Sequence, residues 1–521
     1  MQDMIDLAIF ASRLEAVCDE MGGCLMRAAF SANIKDRLDF SCAVFDEDGN
    51  LCAQAAHIPV HLGSMAYAMK GLVGRIDWKP HDVLVVNDPF LGGTHLPDIT
   101  LVQPVFVQAQ LVAFVACRAH HANIGAAAPG SMPVSTHIDE EGVLISPALL
   151  LAQGKPVPET FALLSGIAAD GVSHQGLPLD FWAQISANEL GVARLHDLLA
   201  NMGYGQFNRM KAALFDYGER LSQEFLLELP NGRYCFEDYL DNDGVAIDPL
   251  RIQVAIDIND GKITVDFAGT ADQVAGNVNC PDSVTAAAVY YVFKCLMPAQ
   301  TPNCAGTFAA TAINIPQGSL LNAEYPHAVA AGNVETSSRV VDVVLGALAK
   351  ALPDLIPAAS QGTMNNIAMG AKALSSERAQ WDYYETIAGG MGAGPLYPGL
   401  SCVQTHMTNT LNTPIESVEL EYPIRVRRYE MRHESGGNGE HRGGDGLCRE
   451  YEFLDAAEVT LLTERRSHAP YGLSGGQDGL SGRNVLNGLG LPAKAHFHVK
   501  KGDRLLIETP GGGGWGRLRQ A

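Results

Sequence analysis

The sequence is poor in several features that would assign a protein class. It holds eleven cysteines, from Cys18 to Cys448, yet no C-x-x-C pair. An odd, scattered set of this kind predicts reduced thiols packed as small hydrophobes, which suits a cytoplasmic protein. No G-x-x-x-x-G-K-[ST] occurs, and no G-x-G-x-x-G stands between a predicted strand and helix, so no nucleotide loop is legible. Positive charge is scarce: 36 Lys and Arg against 58 Asp and Glu leave a net charge of −22. That balance argues against nucleic acid or an anionic membrane as a partner. The first residues, MQDMIDLAIFASRLEAVCDEMGG, lack a basic stretch before an apolar run and do not read as a signal peptide. The densest apolar run, Leu111–Cys117, is far short of the ~20 residues a membrane helix needs.

What is present is ample core-forming material, 47% hydrophobic residues over 521 positions, enough for two or three domains. Leu7, Phe10, Leu14, Val17, Met21, Leu25 and Ala28 recur at helical spacing and predict a long N-terminal helix. Strands around Phe40–Phe45 and Leu51–Ala55, joined at Asp48–Gly49–Asn50, predict a hairpin with Asp39 opposite His57 at its mouth. His57 and His61 are four apart, but Pro59 between them argues against a helix there. Asp180–Leu199 predicts an amphipathic helix, and Tyr234–Phe267 a β-meander. Thr285–Leu296 and Val340–Leu352 predict helices, with Ala331–Arg339 a polar loop before the second. The terminal ETPGGGGWG reads as a flexible glycine-rich segment. The expected architecture is α+β: hairpins with packed helices in three lobes (1–215 N-terminal, 216–420 central, 421–521 C-terminal and β-rich) forming one intertwined unit.

The chemistry concentrates in 83–123. Two apolar strands, Ile99–Val107 and Leu111–Arg118, flank the turn Gln108–Ala109–Gln110. Folded symmetrically about Ala109, the hairpin sets Asp98 opposite His120 at its open end, where the Gly92–Gly93 loop also delivers His95. Two imidazoles and a carboxylate suit a divalent transition metal such as zinc, manganese or iron, with a position open to water or substrate. A single histidine at a strand end is more often a hydrogen-bonded structural residue; three convergent donors shift that balance. Pairing alone does not choose between His120 and its neighbour His121. The loop after His120, HANIGAAAPGSMPVSTHIDEEG, is long and rich in small residues, a candidate to hold substrate or cover a site.

These motifs together resemble the hydantoinase B/oxoprolinase family along nearly the whole chain. The similarity rests on NIKDRLDFSCAVFDEDGNLCAQAAHIPVHLGSM at 33–65, NDPFLGGTHLPDITLVQPVF at 87–106 and RAHHANIGA at 118–126. DFWAQISANELGVARL at 180–195, AGNVETSSRVVD at 331–342, SQGTMNN at 360–366 and YETIAGGMGA at 384–393 extend it. THMTNTLNTPIE at 405–416, SGGNGEHRGGDG at 435–446 and PGGGGWG at 510–516 complete it.

The resemblance implies a metal site at His95, Asp98 and His120, with Asp39 as a further ligand candidate. It implies the metal-bearing subunit of an ATP-dependent cyclic amide hydrolase acting on hydantoin, 5-oxoproline or a similar lactam. In the family a separate hydantoinase A-type subunit or domain with an actin-like ATPase fold handles ATP, in keeping with the missing phosphate loop. A hetero-oligomer follows, in which the partner phosphorylates the amide oxygen and this chain completes ring opening. Asp39, His57 and His121 are the candidates to take the proton of a metal-activated water. A ketone carboxylase subunit is the alternative within the family, and a non-catalytic assembly subunit the alternative without chemistry.

Overall fold

In β1 (Phe40–Asp46), β4 (Asp98–Val107) and β5 (Gln110–His120) residues facing both ways are apolar, the pattern of strands covered on two faces. The computed structural model describes residues 2–55, 58–126, 128–167, 173–371 and 380–518. Its largest sheet has seven antiparallel strands in the order β2–β1–β5–β4–β3–β6–β7, with β2 Leu51–Gln54, β3 Val83–Val86, β6 Ala148–Ala152 and β7 Lys155–Pro156. Cys42, Val44, Leu101 and Val115 face the helices Gln2–Ala28 and Leu179–Met202 in one core. Their alternates Ala43, Phe45, Val102 and Phe114 pack with Met65, Met69 and Leu72 of the helix Pro59–Val73 in another.

That second helix ties the sheet to the rest of the protein. It packs on the helix Asp282–Leu296 at Gly63, where a Cβ would stand 2.6 Å from the Ala287 Cα. Only glycine admits so close a crossing. Beyond it, strands Gly232–Leu240, Leu250–Asn259 and Lys262–Asp266 form the expected meander, and Thr311–Asn314 adds a parallel fourth strand. Strands Asn366–Ala371 and Trp381–Glu385 share a sheet with Ala457–Leu462 and Lys494–Val499, while a five-stranded sheet holds Ile424–Arg432 and Gly446–Phe453. This is a mixed α+β fold of several antiparallel and mixed sheets with packed helices.

Three local expectations are corrected. Pro59 does not prevent a helix; it starts one, as the first helical residue whose missing N–H has no partner to lose. The polar stretch 331–339 is helical, a wide turn Gly332–Thr336 running into Ser337–Leu348. The glycine-rich end is buried and ordered by backbone hydrogen bonds. Gly437 N–H donates to Gly512 O at 2.9 Å, Gly512 N–H to Gly444 O at 2.9 Å and Gly513 N–H to Ala359 O at 2.8 Å. A Cβ on Gly512 would lie 2.1 Å from Met391 O, so the segments approach closer than any side chain allows.

Candidate metal centre

The β4–β5 hairpin is built differently from the symmetric reading, yet it reaches the same pairing. Its turn has two residues, Gln108 and Ala109, because Val107 pairs with Gln110; Gln108 takes the left-handed conformation at φ 58°. A bulge between Val105 and Phe106 then shifts the register by one and restores Asp98 opposite His120. The Gly92–Gly93 loop closes over the end of the sheet. Gly92, at φ +94°, presses on helix Pro59–Val73, where a Cβ would meet the Ala68 Cβ at 2.4 Å. This seats Thr94 and His95 over the strand ends.

His95 Nε2 and His120 Nδ1 each lie 3.2 Å from Asp98 Oδ1, and 3.3 Å from one another. The triangle is nearly equilateral and its three residues are buried. Donors bound at about 2.1 Å to a tetrahedral or octahedral ion stand roughly 3.0–3.4 Å apart, so the spacing fits one face of a coordination shell. The surroundings fit as well. His95 Nδ1 faces the carbonyl oxygen of Ala330 at 3.2 Å and must donate to it, which leaves Nε2 as the lone-pair nitrogen of the neutral ring. The outer oxygen of Asp98 meets His61 Nε2 at 3.2 Å, Asn333 Nδ2 at 3.4 Å and the Thr94 hydroxyl. Asp98 is thereby turned so that Oδ1 faces the two imidazoles.

Burial alone would raise the Asp98 carboxyl, but His95, His61 and His120 outweigh it and hold the group well below the usual carboxylate range. Burial lowers His120, so its ring is neutral at neutral pH, the form that ligates. At His95 burial works in the same sense, but the Asp98 carboxylate beside it prevails and raises the net value. The His120 ring stacks on Tyr384 with centroids 4.7 Å apart and planes 6° from parallel. Its Nε2 is buried without a hydrogen-bond partner among the described residues.

Above the triangle is a cavity of about 20 Å³, room for one water, walled by Asp39, Val334, Met364, Tyr384, Thr386, Met407, Thr408 and Thr410. Asp39 precedes β1, which pairs with β5, and its carbonyl accepts the His120 N–H at 3.0 Å. Its carboxylate lies 3.8 Å from the buried guanidinium of Arg37 and stands at the cavity wall, outside the three-donor cluster. His121 points to the other face of β5. Its Nε2 meets Gln184 Oε1 at 2.9 Å and its ring tilts on Phe181, so the structure does not bring it to the cluster. His57 lies outside the described residues. The first hairpin pairs Ala43 with Gln54 and carries a bulge between Val44 and Phe45, one residue off the symmetric register.

Thr94 and Asn333 are not among the sequence candidates, and His61 stands there beside His57 at the first hairpin, not as a partner of Asp98. His61 sits in the first turn of the helix that Pro59 begins, and the signal that could have found it was proline as a helix starter. Asn333 reaches Asp98 from the wide turn Gly332–Thr336, a helical irregularity of the kind that often marks functional sites.

Fold and cluster define an α+β protein with a buried, donor-lined candidate metal centre. A family model described as Hydantoinase B/oxoprolinase matches residues 3–518. The chain belongs to the hydantoinase B/oxoprolinase family. It is 40% identical to 5-oxoprolinase 1 of Arabidopsis thaliana over 99% of this chain and 42% of the plant protein. The chain thus spans about two fifths of the length of the 5-oxoprolinases it matches. It is 30% identical to a Pseudomonas protein named provisionally as one subunit of a D-/L-hydantoinase, over 99% of this chain and 90% of that one. Among solved structures it is similar to the ATP-dependent caprolactamase from Pseudomonas jessenii, with TM-score 0.90, 26% identity, and coverage of 98% of this chain and 91% of that chain. Acetone carboxylase shares the fold at TM-score 0.85 and 17% identity, over 98% of this chain and 75% of that one. Among the described residues no helix is long and apolar enough to cross a membrane.

Proposed function

We propose that this chain is the metal-bearing half of an ATP-dependent cyclic amide hydrolase. It opens a lactam or hydantoin ring whose amide oxygen has been phosphorylated by a hydantoinase A/oxoprolinase-type ATPase partner. The observation that carries the reading is the triangle of His95 Nε2, Asp98 Oδ1 and His120 Nδ1 lining a small cavity. The relatives support the rest: they are named for lactam or hydantoin hydrolysis, and one is named as a subunit. That the chain spans 42% of the plant 5-oxoprolinase supports an ATPase supplied by further chain or by a partner.

His95, Asp98 and His120 would hold a divalent transition ion, which supplies a Lewis acid and a water-derived nucleophile at neutral pH. Asp39, at the cavity wall, accepts a proton from the attacking water and returns it to the ring nitrogen. Water adds across the C=N bond of the phosphorylated amide, and the proton of the new hydroxyl follows the first to nitrogen as the C–N bond breaks, giving an amine and an acyl phosphate. A second water then releases phosphate and carboxylate. The unpartnered Nε2–H of His120 is a donor for substrate oxygen. A ring is larger than the cavity of about 20 Å³, so binding one needs its wall, which includes Tyr384, Thr386, Met407 and Thr408, to shift.

The test is to combine the purified chain with a hydantoinase A-type ATPase and screen lactams, hydantoins and ketones with bicarbonate for substrate-dependent ATP hydrolysis. Ring-opened product that disappears with the metal supports the reading. A carboxylated ketone moves the chain to the carboxylase branch, and product formation that survives metal removal overturns the proposal.

A further inference from the structure

The long loop after His120, a candidate to cover the site, does something more specific at its far end. Residues 137–141 lie along the segment 326–330: His137 bridges to His327, and Ile138 N–H donates to Pro326 O at 3.0 Å. The loop buries the Glu141 side chain completely beneath that segment. Glu141 Oε1 accepts three hydrogen bonds, from Val329 N–H at 2.9 Å, Ala330 N–H at 2.9 Å and Ser135 Oγ at 2.7 Å. Val329 N–H also lies 3.2 Å from Oε2. Ala330, whose N–H the carboxylate grips, offers the carbonyl of its next peptide unit to His95 Nδ1 at 3.2 Å.

From this chain of bonds we infer that Glu141 is a positioning residue for the metal centre: it fixes the Val329–Ala330 backbone so that the Ala330 carbonyl holds His95 with Nε2 toward Asp98 and His120. The inference rests on the proposed function, since it gives a role to a residue remote from the three donors. Glu141 itself does not touch the cavity. Its burial without a Lys or Arg partner among the described residues needs an explanation that loop packing alone does not supply, for an apolar side chain would fill the same space at lower cost. Burial pushes its carboxyl up to about 7, while the three donors and the nearby His95 oppose the rise. The group is kept despite that cost because backbone N–H donors need an acceptor at one place. Partners of a ligating histidine's second nitrogen are worth roughly ten- to a hundredfold in metal affinity. Glu141 acts one peptide further out, through the carbonyl that plays this part.

The experiment measures zinc affinity by chelator competition on the whole chain, for wild type, Glu141→Ala and Glu141→Gln. Circular dichroism and melting temperature report folding in each. Glu141→Ala should bind zinc about ten- to a hundredfold more weakly while remaining folded. Glu141→Gln keeps an oxygen for the same donors and should recover most of that loss. Imidazole ¹⁵N spectra of the metal-free protein give a second readout: the Nδ1-protonated signal of His95, assigned by its loss in His95→Gln, should be present in wild type and Glu141→Gln and diminished in Glu141→Ala. If Glu141→Ala does not fold, Glu141→Met fills the volume without accepting a hydrogen bond and is read against the same two outcomes. A folded Glu141→Ala or Glu141→Met that binds zinc as tightly as wild type overturns the inference. A wild-type chain that binds no divalent metal overturns the proposed function instead, so the two failures are distinct.

Discussion

His61 Nε2 meets the outer oxygen of Asp98 at 3.2 Å, and the two residues come from a helix and a strand on either side of the Gly92–Gly93 loop. The helix therefore orients a strand carboxylate through His61, which is not itself one of the three donors. His61→Ala should loosen Asp98, which Thr94 and Asn333 still hold, and weaken metal binding about ten- to a hundredfold, with the fold intact. Chelator competition beside a thermal melt checks this. Unchanged affinity would make His61 a packing residue.

His120 and His121 are adjacent but serve opposite faces of one strand. His120→Ala should abolish stoichiometric metal. His121→Ala should retain it, at a stability cost on the order of 1–3 kcal/mol from the unpaired Gln184 and the lost packing on Phe181. Elemental analysis and denaturation of both variants decide the matter. The reverse pattern would exchange their roles.

The uncoupling of two reactions is the sharpest catalytic test. With an ATPase partner present, Asp39→Asn should let ATP be consumed while ring opening falls by about a hundredfold or more, the usual scale for a general base. Product and phosphate are measured in one assay. Equal loss of both would place Asp39 in substrate activation or assembly.

Glu335 gives a pH dependence with a definite sign. Burial raises its carboxyl from the ordinary 4.5 to about 7, and its Oε2 is buried without a hydrogen-bond partner among the described residues. Between these values the folded chain keeps a proton that the unfolded chain has released, so the group's contribution to stability falls as pH rises from about 4.5 to 7. Glu335→Gln removes that contribution. Denaturant titrations at pH 5 and pH 7.5 (roughly the two ends of the window) should show the variant gaining on wild type at the higher pH. A constant difference would mean that Glu335 does not titrate there.

The centre is legible in the sequence where one hairpin carries two of its residues. Asp98 and His120 can be paired without a structure because cross-strand distance is fixed by the sheet. Symmetric folding needs a three-residue turn, whereas a two-residue turn and a bulge act in compensation and give the same partners. His61 and Asn333 are hidden for a different reason. Each arrives from another element through a helix crossing or a helical irregularity, and neither feature has a period or spacing in the chain. Long apolar strands and the meander are readable because burial on one or both faces imposes a pattern. The glycine-rich end reads as flexible because glycine lacks a side-chain pattern, and its order comes from neighbouring backbones far away in sequence.

Those neighbours also set an order of assembly. Around Gly511–Gly514 lie backbone partners from Ala359, Ala393, Gly437, Gly444, Gln477 and Leu480, all of them earlier in the chain. During synthesis the segment that joins them leaves the ribosome after every one of its partners. This part of the fold is therefore an arch whose keystone arrives after its other stones, and until then the carbonyl and N–H groups that will meet it are left to water.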